Sequence, residues 1–257
     1  MRARVLVVAG HDPTGGAGVD ADRAACARFG AEAECVVSAW TEQDGERVRA
    51  VTPEPVARWL EEARYALADP ADALKSGLLP SAAAVQAFAQ LADEARRARA
   101  VPVVVDPVLA ASGGEPFLDA AGVEALLTEL LPRRVVLTPN LPEAACLAGQ
   151  PLEPLLTDPA ARLAAAEALL ARGAAAVLLK GGHGRDATVR DLVLSAGAEP
   201  VWIEHPRHPG RLHGSGCRYA SAVAAQLARA VPLPDAARAA SAWLGELLRA
   251  AARPPGR

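Results

Sequence analysis

Lysine is almost absent from this 257-residue chain: of its 27 basic residues, all but Lys75 and Lys180 are arginine. With abundant Ala, Gly and Pro, that bias reads as a GC-rich coding preference rather than a function. Charge of either sign is also in short surplus. The net charge is −3, with acidic and basic residues interspersed, so no basic stripe marks a nucleic-acid or membrane-surface partner. The four cysteines, Cys26, Cys35, Cys146 and Cys217, lie far apart without a C-x-x-C pair. That excludes a disulfide framework and a zinc site and fits a reducing cytoplasm. No apolar run approaches a transmembrane span. Val5 to Ala9 is too short for a signal h-region and leads straight into His11-Asp12-Pro13. No linker, repeat or break in composition divides the chain, so residues 1–257 are read as a single domain large enough for one sizeable core.

What is present is alternation. Val5–Ala9, Cys35–Trp40, Ala73–Ser76, Val101–Val105, Val135–Leu137 and Ala176–Leu179 read as buried strands rich in Val and Leu. Helical patterns separate them at about residues 17–29, 55–68, 82–98, 120–130 and 160–172. This order predicts a mostly parallel sheet with helices on both faces. Leu192–Leu194 and Val201–Glu204 read as a later strand pair, antiparallel at one edge. Two helices close the chain, one from a glycine turn and one over about 235–251, and residues 251–257 read as frayed.

In such a sheet, ligands bind outside the carboxyl ends of the strands, and that is where the unusual residues fall. Gly10-His11-Asp12-Pro13-Thr14-Gly15-Gly16 follows the first strand and Thr41-Glu42-Gln43-Asp44-Gly45 the second. Gly77-Leu78-Leu79, Asp106-Pro107 with Ser112-Gly113-Gly114, Thr138-Pro139-Asn140 and Lys180-Gly181-Gly182-His183 continue the series. Ordinary βα turns are also enriched in Gly and Asp, but here the polar loops share one edge.

The run His213-Gly214-Ser215-Gly216-Cys217 carries the most chemistry. Two glycines let the backbone turn sharply, and the following helix aims its open N–H groups and positive dipole end at that turn. This suits phosphate oxygens and places Cys217 where a thiolate is favoured over a thiol. A glycine-rich helix start with an inert cysteine would read the same. Asp106, directly after a strand, can face a metal-bound phosphate or cap a turn. Asn140 and Glu143 share a helix face; they can order water around Mg²⁺ or simply cap the helix. Lys180 offers a compact ammonium suited to phosphate.

Taken together the motifs resemble the ribokinase-like superfamily, and within it the hydroxymethylpyrimidine/phosphomethylpyrimidine kinases of thiamine biosynthesis, from Val5 to about Leu248. The strongest piece, Ala9-Gly10-His11-Asp12-Pro13-Thr14-Gly15-Gly16-Ala17-Gly18-Val19-Asp20-Ala21-Asp22, is similar to the family's A-G-x-D-P-[ST]-G-G-A-G-[IL]-x-A-D. Asp106-Pro107-Val108, Thr138-Pro139-Asn140-Leu141-Pro142-Glu143, Gly181-Gly182-His183 and the Cys217 run follow in family order. The resemblance implies an α/β three-layer αβα sandwich and ATP-dependent phosphorylation of 4-amino-5-hydroxymethyl-2-methylpyrimidine and/or its monophosphate. It implies Mg²⁺ as cofactor, a cytoplasmic location and a homodimer, with no nucleic-acid or membrane partner. Gly214, Ser215 and Gly216 match the anion hole, and Cys217 the base that takes the hydroxyl proton. Asp22 and Gln43 match positions that hydrogen-bond the aminopyrimidine, while Gly10, Ala17, Leu78 and Val108 match the pocket lining. Thr138, Asn140 and Lys180 match the ATP site, and Asp106 and Glu143 the metal site.

Several positions depart from the pattern. Leu78 replaces a frequent Met, and Ser112 a frequent Lys. Arg211-Leu212 precede His213 where Asn-Thr is frequent, and the segment from Pro206 to His213 is shortened. Glu42 and Asp44 add negative charge around Gln43. Arg218-Tyr219 follow Cys217, and a cation there either binds a substrate phosphate or narrows the pocket. Two other readings stay open: a pyridoxal or pyridoxine kinase of the same architecture, and a non-catalytic ligand-binding relative. Trp59, Trp202 and Trp243 are candidates for an interface or the core, Trp243 for the core.

Overall fold

The computed structural model describes residues 2–45, 47–111 and 113–252; Ser112 and residues 253–257 lie outside the described residues. The organising element is strand β1 (Ala3–His11), whose residues from Val5 to Gly10 are buried on both faces. Its alternation divides the interior in two. Leu6 and Val8 point into one core with Trp59, Phe88, Leu91, Leu137 and Leu169. Val5, Val7 and Ala9 point into the other with Tyr219, Val223, Ala240 and Trp243. Two cores on opposite faces of one sheet make three layers, as the alternation predicts.

Nine strands form that sheet: β1, β2 (Ala31–Gln43), β3 (Val48–Pro53), β4 (Ala73–Ser76), β5 (Val103–Val105), β6 (Val136–Leu137), β7 (Ala176–Leu179), β8 (Thr188–Ser195) and β9 (Val201–Pro206). Their spatial order is β3-β2-β1-β4-β5-β6-β7-β8-β9. From β2 through β7 every neighbouring pair is parallel. The antiparallel edge expected from β8 and β9 is there, and β8 also runs antiparallel to β7. At the opposite edge β3 pairs antiparallel with β2, a strand the sequence pattern did not signal. Its alternation is weak, with most of its side chains partly or fully exposed. β5 begins at Val103 rather than Val101, because Pro102 has no N–H for the ladder and contributes only its carbonyl, to the Leu74 amide.

The helices are α1 (Gly18–Arg28), α2 (Val56–Ala66), α3 (Ala82–Ala98), α4 (Ala120–Ala125), α5 (Leu141–Ala148), α6 (Leu152–Thr157), α7 (Pro159–Ala171), α8 (Ser215–Leu227) and α9 (Leu233–Ala251). Local chemistry sets many ends. The Ser81 hydroxyl accepts from the Ala84 amide at the start of α3, and Asp158 with Pro159 opens α7. The helix expected over 120–130 stays α-helical only to Ala125, then widens to a π turn (Leu126–Leu130) and a 3-10 turn (Leu131–Arg133). Pro132 cannot supply the amide that a continued α-helix needs. Trp59 and Trp243 are core residues, Trp202 packs against the first core, and Trp40 is the exposed tryptophan at 46%.

Candidate active site

Two helices open toward each other at the carboxyl edge of the sheet, and among the described residues no side chain caps either α1 or α8. Gly18, the first residue of α1, has φ +59°, and a Cβ on it would lie 2.3 Å from the Gly10 carbonyl oxygen. Gly214, just before α8, has φ +72°, and its Cβ would meet the Gly16 carbonyl oxygen at 2.3 Å and the Ala17 Cα at 2.7 Å. Only glycine permits this approach. The loops after β1 and before α8 are therefore in direct backbone contact, and Ala17 is placed where the two helices start.

Asp12, a member of the resemblance motif without an assigned role, pins that contact. Its buried carboxylate accepts from the Thr14 amide at 2.9 Å, the Thr14 hydroxyl at 2.8 Å and the Ala17 amide at 2.7 Å. It also meets His213 Nε2 at 2.8 Å. Burial pushes the carboxyl up, but these donors outweigh burial and hold it below its ordinary value. The stability it contributes is complete above the unfolded carboxylate value of 3.8 and is lost as pH falls through the lower folded value. Asp12→Asn is expected to lower stability by about 2–3 kcal/mol at neutral pH. Thermal melts should show the gap between wild type and variant narrowing below about pH 4; a constant gap would show that the charge is not what matters.

Arg218 resolves one of the departures. Its Nη1 donates to the carbonyls of Gly16 and, at 2.7 Å, of His213. Through Nη1 the guanidinium ties the two glycine loops together.

Cys217 lies half-buried in the first turn of α8. The expectation that this position favours a thiolate is corrected here. Burial pushes the thiol up to about 11, Lys75 opposes that, and Asp22 and Asp106 add to it. The desolvation of the sulfur outweighs the helix end, so the thiol is protonated at neutral pH.

Lys180, at the end of β7, places Nζ 3.0 Å from Asp106 Oδ1. Burial lowers its proton affinity, but Asp106 and Glu143 more than reverse that and hold it charged. Thr138 lies beside them, its hydroxyl 3.4 Å from the same Asp106 oxygen and 3.3 Å from the Val105 carbonyl. A Cβ on Gly216 would stand 3.3 Å from Lys180 Nζ and 3.5 Å from Asp106 Oδ2. Gly216 thus leaves a cradle between the α8 amides and the Lys180–Asp106 pair. The loop after Lys180 is held by Asp191, whose Oδ1 accepts from the Gly181 amide at 2.7 Å. A Cβ on Gly181 would meet the Arg190 carbonyl at 2.0 Å, so this turn requires glycine.

Asn140 and Glu143 form a complete capping box at the start of α5. The Glu143 amide donates to Asn140 Oδ1 at 2.9 Å and the Asn140 amide to Glu143 Oε2 at 2.8 Å. The backbone of Asn140 also bridges to that of Lys180. Burial pushes the Glu143 carboxyl up to about 7, Lys180 opposes it, and the Asn140 and Leu109 amides also hold the anion. A hydrated Mg²⁺ fits this set. Asp106 Oδ2 faces the Gly216 cradle as a hard oxygen donor, and the capped Glu143 would act through water, as Mg²⁺ commonly accepts.

On the neighbouring side lie the residues matched to the ring pocket. Gly10 packs on Leu78, with a Cβ at Gly10 only 2.9 Å from Leu78 Cδ2. The Leu78 carbonyl accepts from the Ser38 hydroxyl, and half-buried Val108 follows Asp106 in a turn closed by a 2.9 Å backbone bond. Gln43 Nε2 donates to the Thr41 hydroxyl at 2.7 Å, and Thr41 donates to the His11 carbonyl at 2.9 Å. The His11 and Trp40 rings pack beside these at 4.8 Å. Asp22 is fully buried: Oδ1 accepts from Lys75 Nζ at 2.8 Å and from the Ser221 hydroxyl at 2.7 Å. Its Oδ2 has no hydrogen-bond partner among the described residues.

Lys75, Ser221, Asp191 and the His11–Trp40 pair were not found from sequence. Lys75 alone had a signal there, as the second lysine of an arginine-rich chain at a strand end before Ser76-Gly77.

The sheet order, with glycine turns gathered on one edge, and the match to solved kinases define an α/β kinase of the ribokinase-like class. The sequence model of the phosphomethylpyrimidine kinase family matches residues 12–256, and the chain belongs to that family. It is 37% identical over 260 residues to the hydroxymethylpyrimidine/phosphomethylpyrimidine kinase of Rhizobium meliloti, covering 98% of this chain and 93% of that protein. It is 35% identical to a bifunctional thiamine-biosynthesis protein of Geobacter sulfurreducens; the match covers all of this chain but 51% of that longer protein. The ADP complex of Bacillus subtilis pyridoxal kinase superimposes with a TM-score of 0.85 at 25% identity, over 97% of this chain and 92% of that one. Among the described residues, no helix is long and apolar enough to cross a membrane.

Proposed function

We propose that this protein transfers the γ-phosphoryl group of ATP to the hydroxymethyl oxygen of 4-amino-5-hydroxymethyl-2-methylpyrimidine, and then to the phosphate of the resulting monophosphate. The observation that carries this reading is the meeting of two uncapped helix starts at Cys217, with Lys180 and Asp106 across the Gly216 cradle. The relatives named as kinases of this pyrimidine support the substrate.

In this reading the amides of Gly214, Ser215 and Gly216 hold the phosphoryl group in flight. Lys180 neutralises the ATP phosphates, with Thr138 and the Asn140 turn fixing the loops beside it. Asp106, backed through water by Glu143, would hold the Mg²⁺. The ion supplies charge neutralisation of the phosphates when bound. Asp22 and Gln43 orient the aminopyrimidine against a wall of Gly10, Ala17, Leu78 and Val108. Cys217 accepts the proton from the substrate hydroxyl. Phosphoryl-transfer transition states are loose, so positioning and charge carry most of the rate and the base is secondary. The protein acts as a cytoplasmic homodimer in this reading, which sedimentation at working concentration tests.

A second reading, pyridoxal phosphorylation, is favoured by the fold match to the pyridoxal kinase. An ADP-release assay across hydroxymethylpyrimidine, its monophosphate and pyridoxal separates the two. The proposal expects the first two to turn over with the higher kcat/KM. Faster turnover of pyridoxal reverses the assignment, and thermal stabilisation by ligand without ADP marks a non-catalytic binder.

A further inference from the structure

The ammonium of Lys180 ends a flexible four-carbon stem, yet it stands 3.0 Å from Asp106 Oδ1 and beside the Gly216 cradle. The backbone that carries it is pinned on both sides. Before the side chain, the Lys180 amide donates to the Pro139 carbonyl at 2.9 Å. After it, the Gly181 amide donates to Asp191 Oδ1 at 2.7 Å. Asp191 stands on β8 and is buried. Its Oδ2 accepts from the Ser241 hydroxyl of α9 at 2.8 Å and meets His205 Nε2 of β9 at 3.0 Å. Those two partners orient the carboxylate and leave Oδ1 for the turn.

The carbonyl side of the same turn is held by Arg207, which directly follows β9 in the shortened segment before the glycine run. Its Nε donates to the Asp186 carbonyl at 3.0 Å, Nη1 to that of Gly182 at 2.8 Å and Nη2 to that of Gly184 at 2.7 Å. Alternate carbonyls of the turn thus converge on one planar fork of donors. Buried Arg162 of α7 adds a third hold, with Nη2 at 2.7 Å from the Asp186 carboxylate.

We propose that Asp191 and Arg207 are positioning residues for the nucleotide phosphates. Asp191 fixes the Gly181 amide, Arg207 fixes the carbonyls of Gly182, Gly184 and Asp186, and together they set where Lys180 presents its charge. This deepens the kinase reading and rests on Lys180 as the group that meets the nucleotide. A misplacement of about 1 Å costs up to about 10²-fold in such sites, and a long side chain inherits any movement of its backbone. A purely structural hold would differ: its loss would lower the melting temperature and leave nucleotide affinity alone.

The test is calorimetric titration of ADP into the full-length resting protein, so it needs no turnover. Asp191→Ala and Arg207→Ala are each expected to weaken ADP binding about tenfold. In a Lys180→Met background the same substitutions should add little, since the group they place is gone. Asp191→Asn keeps an oxygen for the Gly181 amide and should restore most of the affinity, while its altered contact with His205 lowers the melting temperature. Unchanged ADP affinity in either alanine variant overturns the proposal, as does an equal loss with and without Lys180. So does Asp191→Asn binding as poorly as Asp191→Ala. If Asp191→Ala does not fold, Arg207→Ala, at an exposed position, decides through the same cycle with Lys180→Met. Failure of the kinase reading shows separately: no ADP forms from any substrate while these affinities follow the expected pattern. A wild-type protein that binds no ADP overturns both.

Discussion

Cys217→Ala is expected to lower kcat by about 10²–10⁴-fold, the usual worth of a general base, with substrate KM changing far less. The helix starts, Lys180 and Asp106 remain in place in that variant, so positioning and charge neutralisation survive. With the thiol pushed up to about 11, the wild-type thiolate fraction at neutral pH is only about 10⁻⁴. If the thiolate is the working form, kcat/KM rises about tenfold per pH unit between pH 7 and 9. The sign follows from burial: it favours the neutral thiol, so raising pH restores the base. Cys217→Ala should abolish that slope. Near-wild-type turnover in the variant, or the same slope in both proteins, would remove Cys217 from proton transfer.

Lys180→Met is expected to cost about 10²–10³-fold in kcat, comparable to deleting one preorganised donor from an anion hole. The methionine nearly preserves volume, so loss of charge beside the Gly216 cradle dominates. Asp106 would keep the Thr138 hydroxyl but lose its 3.0 Å ammonium partner, which also weakens nucleotide binding. Lys180→Arg should not rescue, because the guanidinium is wider than the ammonium that fits 3.3 Å from a Cβ on Gly216. Single-turnover kinetics with saturating ATP separate the two effects. A full burst rate in Lys180→Met would confine the residue to nucleotide affinity.

Much of this site was legible before any coordinates, because its parts are local. The glycines at 16, 18, 214 and 216, the strand-end Asp106 and the Asn140–Glu143 spacing each announce their own backbone geometry. The capping box is such a case: four consecutive residues suffice to specify it, and it forms as one of its two readings required. Cys217 illustrates the opposite. Its place on the first turn was readable, but its protonation was not, since burial among α1, β4 and α8 overrides the helix end. Arg218 likewise took carbonyl partners that only the meeting of two distant loops supplies.

The sequence by itself determined the strand–helix alternation, the edge on which polar residues gather and the turns that need glycine, because periodicity and φ/ψ preference act over a few residues. Tertiary structure alone decided that β4 lies beside β1, and with it that Asp22 meets both Lys75 and Ser221, which stand 53 and 199 residues away from it along the chain. Such pairings follow from which strands become neighbours and which charges share a dry interior, and no local pattern encodes either.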